Sequence, residues 1–289
     1  MAPKIGLQLW SVRDALGAAG LRRTLEQLAA AGFAGVEPFG IGSPQFTVDE
    51  RRQRARLLRQ ELDRVGLAVP SVHAAVPRAA RSAGLSGSAG SAGSAGSAGS
   101  AGSASAGLAE LAEELGLLGA SVALISSPDQ LEGFGRDALD TPSGVAAFAE
   151  QLNALAERGS EFGLRFGYHN HWWDWEGQAR GAGYPRLVEL TSPNVVFEVD
   201  TYWAFAAGQD PSELIRRLGP RAAFIHIKDG DGAPERPQVA LGEGAMALEP
   251  ILAAAAQLEW WFVELDDAVP GHDPLDVVVA SKRWLGQHL

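Results

Sequence analysis

The chain has 289 residues, of which 46% are hydrophobic and 20% charged, the composition of a globular protein with a sizeable core. Its formal net charge of −11 argues against a nucleic-acid or membrane partner, and the absence of cysteine excludes disulfides, Cys-ligated metals and thiol nucleophiles. No stretch approaches the length of a signal peptide or a membrane span, so we expect a cytoplasmic protein. Composition leaves open whether the chain forms a homo-oligomer.

Short apolar runs alternate along the chain with amphipathic helical patterns. In chain order the sequence predicts strand 4–10 and helix 21–31, strand 35–39 and helix 48–65, strand 67–73 and helix 108–118, strand 121–125 and helix 142–162, strand 164–169 and helix 184–190, strand 194–200 and helix 211–218, strand 222–228 and helix 245–258, and strand 260–265 and helix 274–285. Strict alternation indicates a parallel sheet with right-handed crossovers. Eight such units favour one α/β domain over residues 1–289, a (β/α)₈ TIM barrel.

One low-complexity segment interrupts this alternation. Residues 82–107 read SAGLSGSAGSAGSAGSAGSAGSASAG, between a predicted strand and its helix. Small side chains offer too little apolar surface to offset the entropy of ordering the chain. We therefore expect an insertion or replacement that forms a flexible loop, although its alanines would allow part of it to be helical.

The alternative architecture is an open sheet that binds a nucleotide. Such a sheet needs a glycine-rich turn after its first strand. The turn here is Ser11-Val12-Arg13-Asp14, and the next glycine along the chain is Gly17. The sequence therefore favours the closed barrel.

Ionisable side chains stand at or near the ends of most of the predicted strands. In TIM barrels these ends form the mouth that holds the active site. Strand side chains alternate faces with a period of two, so three strands each carry an ionisable pair on one face: Glu198 and Asp200, His226 and Lys228, and Glu264 and Asp266. Charges that converge inside a barrel are costly unless they pair or bind a metal.

One divalent metal ion would relieve that cost. The predicted ligands come one each from strands 5 to 8, and they are His169, Asp200, His226 and Glu264. His171 shares a face with His169 and is the alternative ligand. Two imidazoles with two carboxylates suit Mn²⁺ first, with Co²⁺, Zn²⁺, Fe²⁺ or Mg²⁺ as alternatives, and suit Ca²⁺ less well. A structural salt-bridge network is the competing explanation.

Several of the eight tryptophans lie at or just past predicted strand ends. Flat aromatic faces beside a polar mouth suit the C–H faces of a sugar ring, and ordinary loop packing would explain them equally well. The predicted substrate-binding residues are Trp10, Glu37, His73, His171, Trp203 and Lys228. Arg13 either binds an anionic or hydroxylated ligand or is a solvated loop charge.

Eight motifs follow one another in the order of the strands: IGLQLWSVRD, GVEPFG, SVHA, GYHNH, FEVDTYWA, HIKD, LGEG and VELD. With these motifs the chain resembles the sugar phosphate isomerase/epimerase superfamily, the xylose isomerase-like TIM barrels. The resemblance covers nearly the whole chain except the Ser-Ala-Gly tract. It implies one metal ligand on each of the last four strands, at His169, Asp200, His226 and Glu264.

Many relatives place glutamate at the strand-5 position, where two metal-bound glutamates act as acid and base. The chain has His169 there, which argues against that mechanism in its usual form. The Tyr-His-Asn-His motif is similar to a branch that includes sugar- and inositol-modifying enzymes and keto-sugar lyases.

The resemblance and the predicted site together suggest a metal-dependent isomerase or epimerase of a keto sugar or related polyol, acting through an enediolate. The predicted catalytic residues are Glu264, His169 and Lys228, with Glu264 as the first candidate for the base. Asp174 and Glu37 are alternatives to Lys228 as the second proton-transfer group. Glu198 would lie one layer deeper and orient a ligand.

Three other functions compete with this one. The same metal site could serve a keto-sugar or inosose dehydratase or a 3-keto-glycoside lyase, which differ in the leaving group. A non-catalytic sugar-binding barrel would need no complete ligand set. A nuclease would need several zinc ions and hence more histidine than the six present.

Overall fold

The computed structural model describes residues 2–17, 20–76, 97–131, 133–177 and 182–289. Eight strands form the centre of the fold: β1 Lys4–Gln8, β2 Gly35–Glu37, β3 Val72–His73, β4 Val122–Ile125, β5 Arg165–His169, β6 Val196–Asp200, β7 Ala222–Ile227 and β8 Trp260–Val263. They lie in one sheet in the order β2-β1-β8-β7-β6-β5-β4-β3, and all paired strands are parallel. Isolated bridges Gly35–Ala68 and Ile41–Ala74 nearly close the seam beside β2. The predicted TIM barrel is confirmed.

Nine α-helices lie within the described residues: α1 Leu21–Ala30, α2 Val48–Val65, α3 Ser97–Leu118, α4 Pro142–Ser160, α5 Gly183–Leu190, α6 Thr201–Ala206, α7 Pro211–Leu218, α8 Leu248–Ala254 and α9 Pro274–His288. Short 3₁₀ segments include Leu9–Ala15, Arg136–Leu139 and Trp172–Trp175. All eight predicted helices have a counterpart. The short helix α6 was missed, because it follows β6 directly and has no amphipathic repeat long enough to show in the sequence.

Local sequence signals set the helix ends. Thr47 and Glu50 form a reciprocal capping box at the start of α2, and Gly66 ends that helix with a φ of 73°. Asp210 caps α7, where its side chain accepts hydrogen bonds from two backbone N–H groups. These caps satisfy backbone groups that would otherwise lack partners.

Helix α3 begins inside the Ser-Ala-Gly tract, at Ser97 rather than at Leu108. The buried residues Leu108, Leu111, Leu115 and Leu118 anchor its second half. An anchored helix extends at little cost, because the nucleation step is already complete, and alanine favours the extension. Residues 97–107 are therefore helical, and the sequence had allowed part of the tract to form a helix. The expectation of a flexible loop at 82–96 lies outside the described residues.

The core has two parts. A large cluster lies between the strands and the surrounding helices, and a smaller one fills the barrel interior near the N-terminal ends of the strands. The smaller cluster, here called the apolar plug, consists of Val122, Leu124, Val196, Phe224, Trp260 and Phe262. The ionisable side chains lie farther along the same strands, so the plug forms the floor of the mouth. Within the described residues, no helix has the length and apolarity needed to cross a membrane.

Candidate metal and substrate site

The strand ends bring the four predicted metal ligands together. One ligand atom from each of His169, Asp200, His226 and Glu264 lies within 4.8 Å of the others, and all four side chains are buried. His226 Nδ1 lies 2.7 Å from Glu264 Oε2, and His169 Nε2 lies 3.7 Å from Asp200 Oδ2. We call these four residues the upper cluster.

A second layer lies directly below the upper cluster. Glu198 Oε2 lies 2.9 Å from His169 Nδ1, 3.1 Å from His226 Nε2 and 2.8 Å from His73 Nε2. Glu37 Oε2 lies 2.8 Å from His226 Nε2. The separations are those of hydrogen bonds between imidazole nitrogens and carboxylate oxygens.

The two layers give each shared histidine a defined orientation. His169 and His226 each direct one ring nitrogen down to a carboxylate, Glu198 and Glu37 respectively, and the other up into the upper cluster. Metal-binding histidines are commonly held in this way, with the second nitrogen donating to a carboxylate. Two upward nitrogens and two carboxylates are also a donor set that first-row divalent metals accept. The residues present therefore fit one divalent metal ion.

The two histidines differ in their charge. Burial lowers the pKa of His169 well below its ordinary value, and the neighbouring charges of His226 and His73 lower it further, so its ring is neutral. Burial also opposes the charged form of His226, but Glu198 and Glu264 outweigh it and raise its pKa well above the ordinary value. His226 must release a proton before it can ligate a metal, so metal binding there weakens in acid.

The two carboxylates of the upper cluster also differ. Burial raises the pKa of Asp200 to about 6, although the Lys228 ammonium works against the shift. For Glu264, the effect of burial is outweighed by Lys228 and His226, which hold its pKa well below the ordinary value. Glu264 is thus the more firmly ionised of the two.

Lys228 lies within this acidic group. Its Nζ lies 2.8 Å from Asp200 Oδ2, 2.6 Å from Glu264 Oε2 and 2.6 Å from Asp266 Oδ2. The ammonium also stands 4.8 Å from the centre of the Trp203 ring. Opposite charges and an aromatic face compensate the burial of this cation.

A cavity of about 520 Å³ opens above the upper cluster. Aromatic side chains that line it are Trp10, Phe39, Trp172, Trp173 and Trp203. His73, His169, His171 and Glu264 also line it. Four of the predicted substrate-binding residues, Trp10, His73, His171 and Trp203, therefore face one space.

The other two predicted substrate-binding residues occupy different positions. Glu37 is fully buried in the second layer, where Gln8 and Ser71 donate to its carboxylate. It does not line the cavity, because β2 places its side chain below the mouth. Lys228 is also absent from the cavity lining and is enclosed by the three carboxylates and Trp203.

Loops contribute lining residues that the strand-end pattern did not include. Ser126, Ser127, Gln130 and Arg136 follow β4, and Arg236 and Gln238 follow β7. A polar pair directly after β4, Ser126-Ser127, was the available sequence signal for the first group. The sequence contained no such signal for Arg236 and Gln238. They lie several residues beyond the end of β7, and the sequence does not predict the path of that loop.

Asp174 has a structural role on the turn that carries the tryptophans. Its carboxylate accepts a hydrogen bond from the Tyr168 hydroxyl at 3.0 Å and one from the His171 backbone N–H at 2.9 Å. Burial raises the pKa of Asp174 to about 7. Asp174 does not line the cavity, so the alternative that it transfers a proton to substrate has no support from this geometry.

The sequence of the chain is similar to a known protein family and to a curated relative. The family model for the xylose isomerase-like TIM barrel matches residues 25–288. Inosose dehydratase from Geobacillus kaustophilus (strain HTA426) is 34% identical over 90 residues, a segment that covers 31% of this chain and 29% of that relative. The match thus spans less than a third of the curated relative.

Solved structures show the same fold over the whole chain. A sugar phosphate isomerase/epimerase from Parabacteroides distasonis ATCC 8503 superposes with a TM-score of 0.67 at 21% identity, covering 99% of this chain and 94% of that one. A D-allulose 3-epimerase from Methylomonas sp. superposes with a TM-score of 0.64 at 16% identity, covering 100% of this chain and 98% of that one. At these identities the likeness concerns the fold alone.

Proposed function

The chain belongs to the xylose isomerase-like TIM barrel family, and from this premise we propose that it is a divalent-metal-dependent isomerase or epimerase of a keto sugar or related polyol. The observation that carries the proposal is the upper cluster, whose four potential ligands converge below an aromatic cavity. Family members described as isomerases, epimerases and dehydratases make an enzyme of this kind the natural expectation.

His169, Asp200, His226 and Glu264 would hold the metal, and Mn²⁺ is the first candidate for this donor set. The ion would supply a Lewis acid for neighbouring carbonyl and hydroxyl oxygens. Glu198 and Glu37 orient the two imidazoles from below. Rigid ligands of this kind keep the site ordered before substrate arrives.

Glu264 is the proposed base. It lines the cavity, and its low pKa keeps the carboxylate ionised and able to take the proton beside the substrate carbonyl. Loss of that proton leaves an enediolate. Return of a proton to the neighbouring carbon completes an isomerisation, and return to the opposite face of the same carbon completes an epimerisation. Lys228 and His169 are the proposed partners that stabilise the negative charge, Lys228 as a cation beside Glu264 and His169 as a ligand of the metal.

The aromatic walls bind and shield the substrate. Trp172, Trp173 and Trp203 come from the segments after β5 and β6, and Trp10 with Phe39 stands across the cavity mouth. Indole faces pack on the C–H faces of a sugar and exclude water from the reacting carbons. The indole N–H of Trp203 is buried without a hydrogen-bond partner among the described residues, which suits a substrate hydroxyl.

A dehydratase is the second candidate, favoured by the similarity to inosose dehydratase. The same proton removal followed by loss of a β-hydroxyl group would give that reaction. The side chains of the upper cluster serve both reactions, so only the substrate separates them.

Hydrogen exchange with solvent tests both candidates. Ketoses, inososes and 3-keto-glycosides would be incubated in D₂O with protein supplied with Mn²⁺, Co²⁺, Zn²⁺ or Mg²⁺, then analysed by NMR and mass spectrometry. We expect deuterium at the carbon beside the carbonyl of at least one substrate, with a dehydrated product if the second candidate holds. Absence of uptake with every substrate and metal would contradict proton abstraction by this site.

A further inference from the structure

Lys228 is bound to carboxylate oxygens of two of the proposed metal ligands. Its Nζ contacts Asp200 Oδ2 at 2.8 Å and Glu264 Oε2 at 2.6 Å, and both residues belong to the upper cluster. A carboxylate oxygen in contact with an ammonium is less available to a divalent cation. The ammonium and the metal therefore compete for the two carboxylates.

Asp266 offers the ammonium a position outside the upper cluster. Its Oδ2 lies 2.6 Å from Lys228 Nζ, and among the described residues it is the only other carboxylate in contact with that atom. An ammonium that keeps one close anion avoids most of the cost of an unpaired charge in the barrel interior. Lys228 can therefore leave Asp200 and Glu264 without losing its charge compensation.

Gln238 fixes Asp266 in that position. The Gln238 side-chain amide donates to Asp266 Oδ2 at 3.0 Å, and its carbonyl accepts from the Asp266 backbone N–H at 2.8 Å. The backbone carbonyl of Asp266 also accepts from Arg13 Nη1 at 2.7 Å. Three hydrogen bonds thus hold a residue that lies outside the set of proposed ligands.

We propose that Asp266 is a positioning residue that withdraws Lys228 from Asp200 and Glu264 and so sets the affinity of the site for its metal. The inference rests on the proposed function, because it takes the upper cluster as the metal site. Without Asp266 the ammonium relies on the two metal ligands alone and competes more strongly. Without Lys228 there is no competitor, and Asp266 has nothing to act through.

A double-mutant cycle on metal binding tests this order of action. Affinity for Mn²⁺ is measured by calorimetry on the wild type, Asp266→Asn, Lys228→Met and the double variant. We expect Asp266→Asn to weaken binding about tenfold, as loss of an outer partner typically does, and Lys228→Met to strengthen it at least as much. In the Lys228→Met background, Asp266→Asn should change nothing.

Asp267→Asn is the matched control, because Asp267 is the adjacent carboxylate and pairs with Arg13 at 3.1 Å, not with Lys228. It removes the same charge next to the site and should leave metal affinity unchanged. An equal loss of affinity from Asp266→Asn with and without Lys228 would overturn the inference, since Asp266 would then act on the metal directly. Unchanged affinity in both single variants would overturn it as well.

Lysine NMR provides a measurement that needs no substitution. The chain has lysine at positions 4, 228 and 282 only, so [¹⁵N]lysine labelling gives few ammonium signals. Saturation with diamagnetic Zn²⁺ should shift the Lys228 signal and leave the other two in place. Binding of Zn²⁺ without that shift would overturn the inference alone, whereas a wild type that binds no divalent metal would overturn the proposed function together with it.

Discussion

Two ends of the same strands line the barrel interior with opposite chemistry. On β7, Phe224 lies in the apolar plug and His226, two residues later, lies in the upper cluster. On β8 the same step separates Phe262 from Glu264. The plug can be packed for stability while the mouth carries groups whose burial is costly. Along β7 and β8, a step of two residues thus separates side chains that stabilise the core from side chains of the candidate site.

The largest expected effect comes from the mouth. Asp200→Ala or His226→Ala should remove stoichiometric metal binding and lower turnover by more than about a thousandfold, because each removes a ligand and leaves charges unpaired. Metal analysis and steady-state kinetics measure the two effects, and circular dichroism should show a folded barrel. His272→Ala, at an exposed histidine, is the control. Full metal content in both ligand variants would contradict the proposed site.

Phe262→Ala tests the plug at the other end of the strand. Removal of a fully buried ring should lower the free energy of unfolding by about 3–5 kcal/mol. Chemical denaturation measures this loss. Metal affinity of the folded variant should stay within a few-fold of the wild type, and a large fall in affinity would show that the two ends are not separable.

Glu37→Gln tests the layer between the two ends. Its carboxylate accepts from His226 Nε2, so the amide should loosen that ring and weaken metal binding about 10–100-fold. Metal titration gives the affinity, and Glu213→Gln on the exposed face of α7 is the matched control. If Glu37 instead bound substrate, KM would rise while metal affinity stayed constant.

Asp174 should make the free energy of unfolding depend on pH. Its pKa of about 7 in the folded chain lies above the ordinary value of 3.8, so the folded state holds the extra proton between those limits. Stability from this group is present below about pH 4 and is lost as pH rises toward 7, by at most about 1.4 kcal/mol per pH unit. Asp174→Asn should remove that slope. Equal slopes in denaturation series of both proteins would contradict the assignment.

The smallest effect is expected from residues 82–96, which lie outside the described part of the chain. Shortening residues 82–96 to about half their number should change the free energy of unfolding by only about 0.6 kcal/mol, because loop-closure entropy grows slowly with length. Thermal and chemical denaturation measure it. A loss of several kcal/mol would show that this part of the tract packs against the barrel.

Sequence periodicity was enough to predict the barrel and three residues of the upper cluster, and it left His169 and His171 as alternatives for the fourth. Alternation of eight strands with eight helices indicated the fold, and the period of two along β6, β7 and β8 put Asp200, His226 and Glu264 on one inward face. Both patterns are local: they follow from backbone geometry and from the burial of every second side chain. The type of each element and the face on which a side chain lies can therefore be predicted from the short segment that contains it.

Only the tertiary structure decided how deep each side chain lies in the barrel and which residues it contacts. Glu37 lies a layer below the mouth because the parallel pairing of β2 with β1 aligns Glu37 with Gln8. The stagger between two strands cannot be predicted from the sequence of either strand alone. Asp174 turns to Tyr168, away from the cavity, and Lys228 is shared among three carboxylates at the C-terminal ends of β6 and β8. These positions depend on contacts between residues far apart in the chain, and periodicity within one segment carries no information about them.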